Sequence, residues 1–68
     1  MVTLEQIEDL VCGKATFSEK ENRVYVTFTG VKTAYALKDF MAKNGFQDVY
    51  GTYDDGFYTL GFSDGELS

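Results

Sequence analysis

The chain has 68 residues, with six Lys/Arg, eleven Asp/Glu, no histidine and a formal net charge of −5. A chain this short buries only about 60% of its unfolded surface, so we expect one domain of modest stability. The acidic balance argues against direct binding to a nucleic-acid backbone, which needs clustered cations. One cysteine without histidine excludes a Cys/His zinc site and removes the commonest general base.

The charges are unevenly distributed along the chain. Residues 1–13 sum to −3, residues 14–43 to +3 and residues 44–68 to −5, and all six bases lie in the middle segment. The N-terminus has neither a basic start nor a long apolar run, so we expect no signal peptide. No stretch approaches the roughly 20 apolar residues of a membrane span. We therefore expect a cytoplasmic protein without membrane contact, and the lone Cys12 fits a reducing compartment.

The first predicted element is a helix that begins after Thr3. Thr3 and Gln6 have the spacing of a capping box. The apolar residues recur at helical spacing on one side, namely Leu4, Ile7, Leu10 and Val11. Gly13 is the expected stop. Cys12 is expected to be a small buried apolar residue, because a nucleophilic cysteine would need a histidine partner.

Residues 14–30, KATFSEKENRVYVTFTG, predict a β-hairpin from their alternating pattern. A two-residue turn at Lys20-Glu21 and a four-residue loop at 19–22 give the same pairs. These are Phe17 with Val24 and Ala15 with Val26.

Residues 33–45, TAYALKDFMAKNG, predict a second helix. Thr33 is the expected N-cap, and Gly45 stands where a left-handed residue ends a helix. Phe46 is expected to fold back on the last turn. The core stripe is Ala34, Leu37, Phe40 and Met41.

Residues 49–62 predict a second hairpin around the two-residue turn Asp55-Gly56. This register pairs residues from Asp54 with Phe57 as far as Val49 with Phe62. One face is apolar and is assigned to the core: Val49, Gly51, Tyr53, Tyr58, Leu60 and Phe62. The other is assigned to the outside: Tyr50, Thr52, Asp54, Phe57, Thr59 and Gly61.

The resulting order, α-β-β-α-β-β, predicts a single α+β domain over residues 1–68. We expect a four-stranded antiparallel sheet with both helices on one face. The two helices match at a spacing of thirty residues, at Thr3/Thr33, Ile7/Leu37, Asp9/Asp39 and Leu10/Phe40. A weak αββ duplication of 3–30 and 33–62 is one interpretation. The other is the pattern that any two amphipathic helices share.

The sheet face without helices, called the outer face below, is the first candidate binding surface. Its candidate residues are Tyr25, Thr27, Tyr50, Thr52 and Thr59, beside Thr16, Ser18, Arg23 and Phe57. Tyrosine with small hydroxyl residues is typical of protein-recognition surfaces. Strand propensity alone also explains these residue types, and Tyr50 opposite Gly61 also suits the filling of a glycine gap. An RNA-binding sheet would carry more bases.

The acidic side chains are the second candidate surface. The candidate residues are Glu5, Glu8, Asp9, Asp54 and Asp55, with Asp64 and Glu66. Spaced carboxylates can imitate a row of phosphates and bind a cationic groove. The same residues are also explained without a partner. Acids are favoured in the first turn of a helix and in turns, and a net negative charge keeps a small domain soluble.

These features favour a non-enzymatic protein-interaction module with no catalytic residues, cofactor or metal. The specific hypothesis is a small acidic inhibitor, of the kind phages and mobile elements make, that binds a cationic host protein handling nucleic acids. This hypothesis rests on a general similarity to such inhibitors in small size and acidic charge, and not on resemblance to a protein family. The alternative is a self-assembling structural or accessory subunit, for example a homodimer. A third hypothesis is a weak binder of single-stranded nucleic acid or of a small ligand.

Overall fold

The structure, a computed structural model, describes residues 1–68 and has the predicted order α-β-β-α-β-β. The elements are α1 (Leu4–Val11), β1 (Lys14–Ser18), β2 (Arg23–Phe28), α2 (Val31–Lys43), β3 (Gln47–Asp54) and β4 (Phe57–Ser63). All strand pairs are antiparallel, and the α+β fold class is confirmed.

The strands lie in the order β1-β2-β4-β3. The second strands of the two hairpins are therefore neighbours in the middle of the sheet, and β1 and β3 form its edges. The first hairpin has the predicted register, with Phe17 opposite Val24. The second turns at Asp55 and Gly56, whose φ angles of 52° and 85° are those that a two-residue turn of this type requires.

The core lies between the sheet and both helices, as predicted. It consists of thirteen buried apolar side chains, and no polar or charged residue is buried. The helices supply Ile7, Val11, Ala34, Leu37 and Met41, and the strands supply Ala15, Val24, Val26, Phe28, Leu60 and Phe62, with Val2 and Phe46 completing the set.

Helix α1 begins with the predicted capping box. The Gln6 N–H donates to Thr3 Oγ1 at 3.1 Å, and the Thr3 N–H donates to Gln6 Oε1 at 2.9 Å. The left-handed residue at its end is Cys12 (φ 51°), not Gly13. Cys12 is exposed, so its predicted burial is wrong: the chain turns there, at the surface, toward β1. Gly13 is required for another reason, because a Cβ would overlap the Thr27 carbonyl oxygen.

The predicted N-cap of α2 is wrong, and the predicted C-terminus is confirmed. Gly30 (φ 97°) is the N-cap and Thr33 lies in the first turn, because β2 ends at Phe28 and the chain turns directly into the helix. At the other end Gly45 is left-handed (φ 85°), and the Phe46 N–H donates to the Met41 carbonyl at 2.9 Å. This bond is that of a Schellman motif. Since Thr3 caps a helix and Thr33 does not, these matched residues differ in role, and the duplication remains a hypothesis.

Strand β3 has the predicted register from Tyr50 to Asp54 and departs from it by one residue before Tyr50. A bulge between Asp48 and Tyr50 places Asp48 opposite Phe62, where Val49 was predicted. Asp48 thereby reaches α2, where its carboxylate lies 3.4 Å from Lys38 Nζ. The assignment of β3's apolar face to the core is also wrong, because every β3 residue is exposed and Tyr53 retains 63% of its accessible surface. Helix α2 contacts β3 but buries none of the residues of this edge strand.

Candidate protein-interaction surfaces

The outer face brings all five predicted sheet-face residues together in two adjacent rows across the strands. One row is Thr27, Thr59 and Thr52, on β2, β4 and β3. The next row is Tyr25, Gly61 and Tyr50, on the same strands. Both helices pack on the opposite face, so the outer face has no covering layer.

The two tyrosines cover Gly61. Their rings meet edge to face, with centroids 5.7 Å apart and an interplanar angle of 83°. A Cβ on Gly61 would lie 2.9 Å from Tyr50 Cβ and 3.0 Å from Tyr25 Cε1. Gly61 is consequently buried although it lies on the outer face. The pair therefore supports the sheet, and Tyr50 still exposes 43% of its surface.

Tyr25 also joins the charged residues at one end of the outer face. Its hydroxyl donates to Glu21 Oε1 at 3.0 Å and accepts a bond from Arg23 Nη1 at 3.3 Å. The hydrogen bond to Tyr25 raises the pKa of Arg23 above its ordinary value, and the nearby Glu21 contributes in the same direction. The Arg23 charge is thus held within a network that already contains a carboxylate.

The threonine row presents hydroxyl groups beside the tyrosines. Thr27 Oγ1 and Thr59 Oγ1 lie 3.3 Å apart and share a hydrogen bond, and both residues are half-buried. Thr52, at the edge, is exposed. The row therefore offers small, adaptable hydrogen-bonding groups next to an exposed aromatic ring.

The strand order divides the candidate acids into two groups. Glu5, Glu8 and Asp9 belong to α1, which packs mainly on β1, whereas Asp54 and Asp55 lie at the β3–β4 turn. Two central strands separate these edges of the sheet. One carboxylate oxygen of Glu8 already has a partner within the chain, because Glu8 Oε2 accepts a hydrogen bond from the Ala15 N–H at 3.0 Å.

Sequence reasoning missed a groove beside β3, called the edge groove below. Ala34 and Lys38 of α2 form one side, Gly51 and Tyr53 of β3 the other, and Leu60 of β4 contributes from the sheet. Its volume is about 280 Å³. The available signal was Gly51, which interrupts the larger residues on the helix-facing side of β3. The sequence did not reveal that α2 would leave the residues of this strand exposed.

Comparison with models of protein families, with curated proteins and with solved structures finds no match for this chain. Neither helix combines the length and apolar character that crossing a membrane requires. The fold and the surfaces described above are therefore the basis for a functional proposal.

Proposed function

We propose that this protein is a non-enzymatic protein-interaction module that binds its partner through the outer face. The observation that carries the proposal is a sheet face without a covering layer, on which the tyrosine and threonine rows lie side by side. Tyrosine provides rigid contact area with few rotatable bonds, and threonine provides adaptable hydrogen bonds. No Asp or Glu is fully buried, which supports a role without general-acid catalysis, since a carboxyl that acts as a general acid usually needs burial.

The charge supports a partner with a cationic surface. The net charge is −5, and acids lie at both edges of the sheet. A negative field of this kind steers a protein toward surfaces that otherwise attract nucleic acid. The specific proposal is a small acidic inhibitor, of phage or mobile-element type, that acts on a host nucleic-acid-handling protein.

The first experiment is a pull-down from cell lysate with the tagged protein, with and without competing DNA, followed by mass spectrometry. We expect a cationic nucleic-acid-binding protein that DNA displaces. Binding of that partner should then weaken by about 5- to 30-fold in Tyr50→Ala, the range of an interface hot spot of ~1–2 kcal/mol.

The matched control is Tyr35→Ala, which removes an exposed tyrosine from α2 rather than from the outer face. Circular dichroism must show that Tyr50→Ala is folded, because Tyr50 covers Gly61. Wild-type affinity in folded Tyr50→Ala, or equal losses in the two variants, would contradict binding through the outer face.

Self-assembly through the outer face is the alternative function, and the lack of a covering layer on that face favours it. Light scattering over a concentration series distinguishes self-assembly from binding to a different protein. A mass that rises with concentration supports a subunit that joins copies of itself, and a constant monomer mass supports the interaction module.

A further inference from the structure

Strand β3 is an open sheet edge. It pairs with β4 on one side only, and all eight of its residues are exposed. The backbone N–H and C=O groups on its other side are therefore available to another chain. An extended peptide that joins such an edge obtains affinity from main-chain hydrogen bonds and specificity from pockets for alternate side chains.

The edge groove provides such a pocket. Gly51 lies on the helix-facing side of β3, directly opposite Leu60. A Cβ added to Gly51 would come within 3.3 Å of Leu60 Cδ2, so a longer side chain there would occupy the groove. The absence of a side chain at this residue keeps the space between β3 and α2 open.

A peptide that pairs with β3 as an additional strand would use both the open edge and the edge groove. Alternate side chains of a strand point to the same face. A segment paired with β3 would therefore direct every second side chain toward α2, with one of them beside Gly51. Ala34 and Leu60 give that side chain an apolar environment.

Charge identifies the occupant. Residues 44–68 contain five acids and no base, and three of these acids, Asp48, Asp54 and Asp55, lie on β3 or in the turn that follows it. Asp48 pairs with Lys38, so the attraction for a basic segment comes mainly from Asp54 and Asp55. We propose that β3 and the edge groove together accept an extended, basic segment of a partner protein as a fifth strand, with an apolar side chain in the groove.

The same charges disfavour a second copy of this chain as the occupant. Two β3 strands side by side would bring Asp48 and Asp54 of both copies to one junction. The only base beside the edge groove is Lys38, which already pairs with Asp48. Like charges in neighbouring strands are destabilising.

This inference rests on the proposed function only in that the partner is a protein, since it uses the backbone edge and the helix-facing side of β3 rather than the outer-face side chains of that strand. A random twelve-residue peptide library displayed on phage is selected against the full chain. We expect peptides in which apolar residues alternate with Lys or Arg. For the strongest peptide, we expect Gly51→Val to weaken binding at least tenfold. Valine suits an extended strand, so this variant should fold.

The matched control is Phe17→Val on the other edge strand, where the exposed Phe17 lies on the helix-facing side opposite Val24; this variant should bind the peptide like wild type. A peptide N-methylated on alternate residues, on the side that pairs with β3, should also lose at least tenfold in affinity because it lacks the donors that strand addition needs. This second measurement needs no variant. NMR amide shifts on binding should be largest in β3.

Three outcomes would overturn the inference: no enriched peptide, enriched peptides that are acidic, or binding that Gly51→Val and N-methylation leave unchanged. Concentration-dependent dimerisation through β3 would overturn it in favour of a second copy. The effect of Tyr50→Ala on the natural partner is measured separately, so failure at the edge groove is distinguishable from failure at the outer face.

Discussion

The two edge strands of this sheet differ in how the rest of the molecule covers them. β1 has five residues, and α1 packs against it. Ala15 in this strand is buried, and its N–H donates to the Glu8 carboxylate of α1 at 3.0 Å. β3 has eight residues, all exposed, and its covering helix α2 leaves a groove beside it.

The difference indicates where a partner chain can add to the sheet. An uncovered edge invites pairing with other chains, and folded proteins cover, shorten or bend such edges. β1 is short, and α1 covers it at Ala15, although Lys14, Thr16 and Phe17 are exposed. β3 is modified only by the bulge before Tyr50 and by the acids at Asp48 and Asp54. The chain therefore protects one edge by packing and leaves the other accessible to strands of suitable charge.

The largest predicted effect concerns the connection that holds α1 on the β1 edge. Gly13 lies so close to β2 that a Cβ would overlap the Thr27 carbonyl oxygen. We expect Gly13→Ala to lower the free energy of unfolding by about 2–3 kcal/mol, because backbone must move to admit the methyl group. Urea denaturation followed by circular dichroism measures it.

The same substitution at the open edge is the control. In Gly51→Ala the new Cβ would meet only the end of the Leu60 side chain, at 3.3 Å. We expect a change within about 1 kcal/mol in either direction. Equal losses at Gly13 and Gly51 would remove the contrast between the edges.

The next largest predicted effect on stability concerns the Glu8 carboxylate, which accepts the Ala15 N–H at the β1 edge. Glu8→Ala leaves the Ala15 N–H without its acceptor, and we expect a loss of about 1 kcal/mol. Glu8→Gln should lose less, since its amide oxygen still accepts. Hydrogen exchange at the Ala15 amide should accelerate in Glu8→Ala. Unchanged stability and unchanged exchange would show that α1 covers β1 without this bond.

The smallest effect concerns the ion pair that joins α2 to β3. The side chains of Lys38 and Asp48 are 49% and 43% exposed, and their charged atoms lie 3.4 Å apart. Partly exposed pairs contribute little, so Lys38→Met should change stability by less than about 0.5 kcal/mol in denaturant unfolding. A loss above 1 kcal/mol would mean that β3 is held to α2 more firmly than this contact indicates.

Local chemistry determined much of this fold from the sequence alone. The Thr3–Gln6 capping box, the left-handed Gly45 and the Asp55-Gly56 turn each involve residues within a few positions, and all three are confirmed. The hairpin registers follow from these turns and from alternation, so the residues that share the outer face were predictable in advance, whereas their alignment into tyrosine and threonine rows also required the pairing of β2 with β4.

Tertiary packing decided the rest. No local rule sets which hairpin strands meet, and the order β1-β2-β4-β3 made β3 an edge. Alternation marked Tyr53 as core, but α2 buries no residue of that strand, and Tyr53 is exposed. The Val49 bulge, the Gly30 cap and the exposed Cys12 likewise depend on how neighbouring elements connect and pack. Except at the bulge, the sequence determined which side chains share a face, and only the arrangement of helices over the sheet decided which of them are covered.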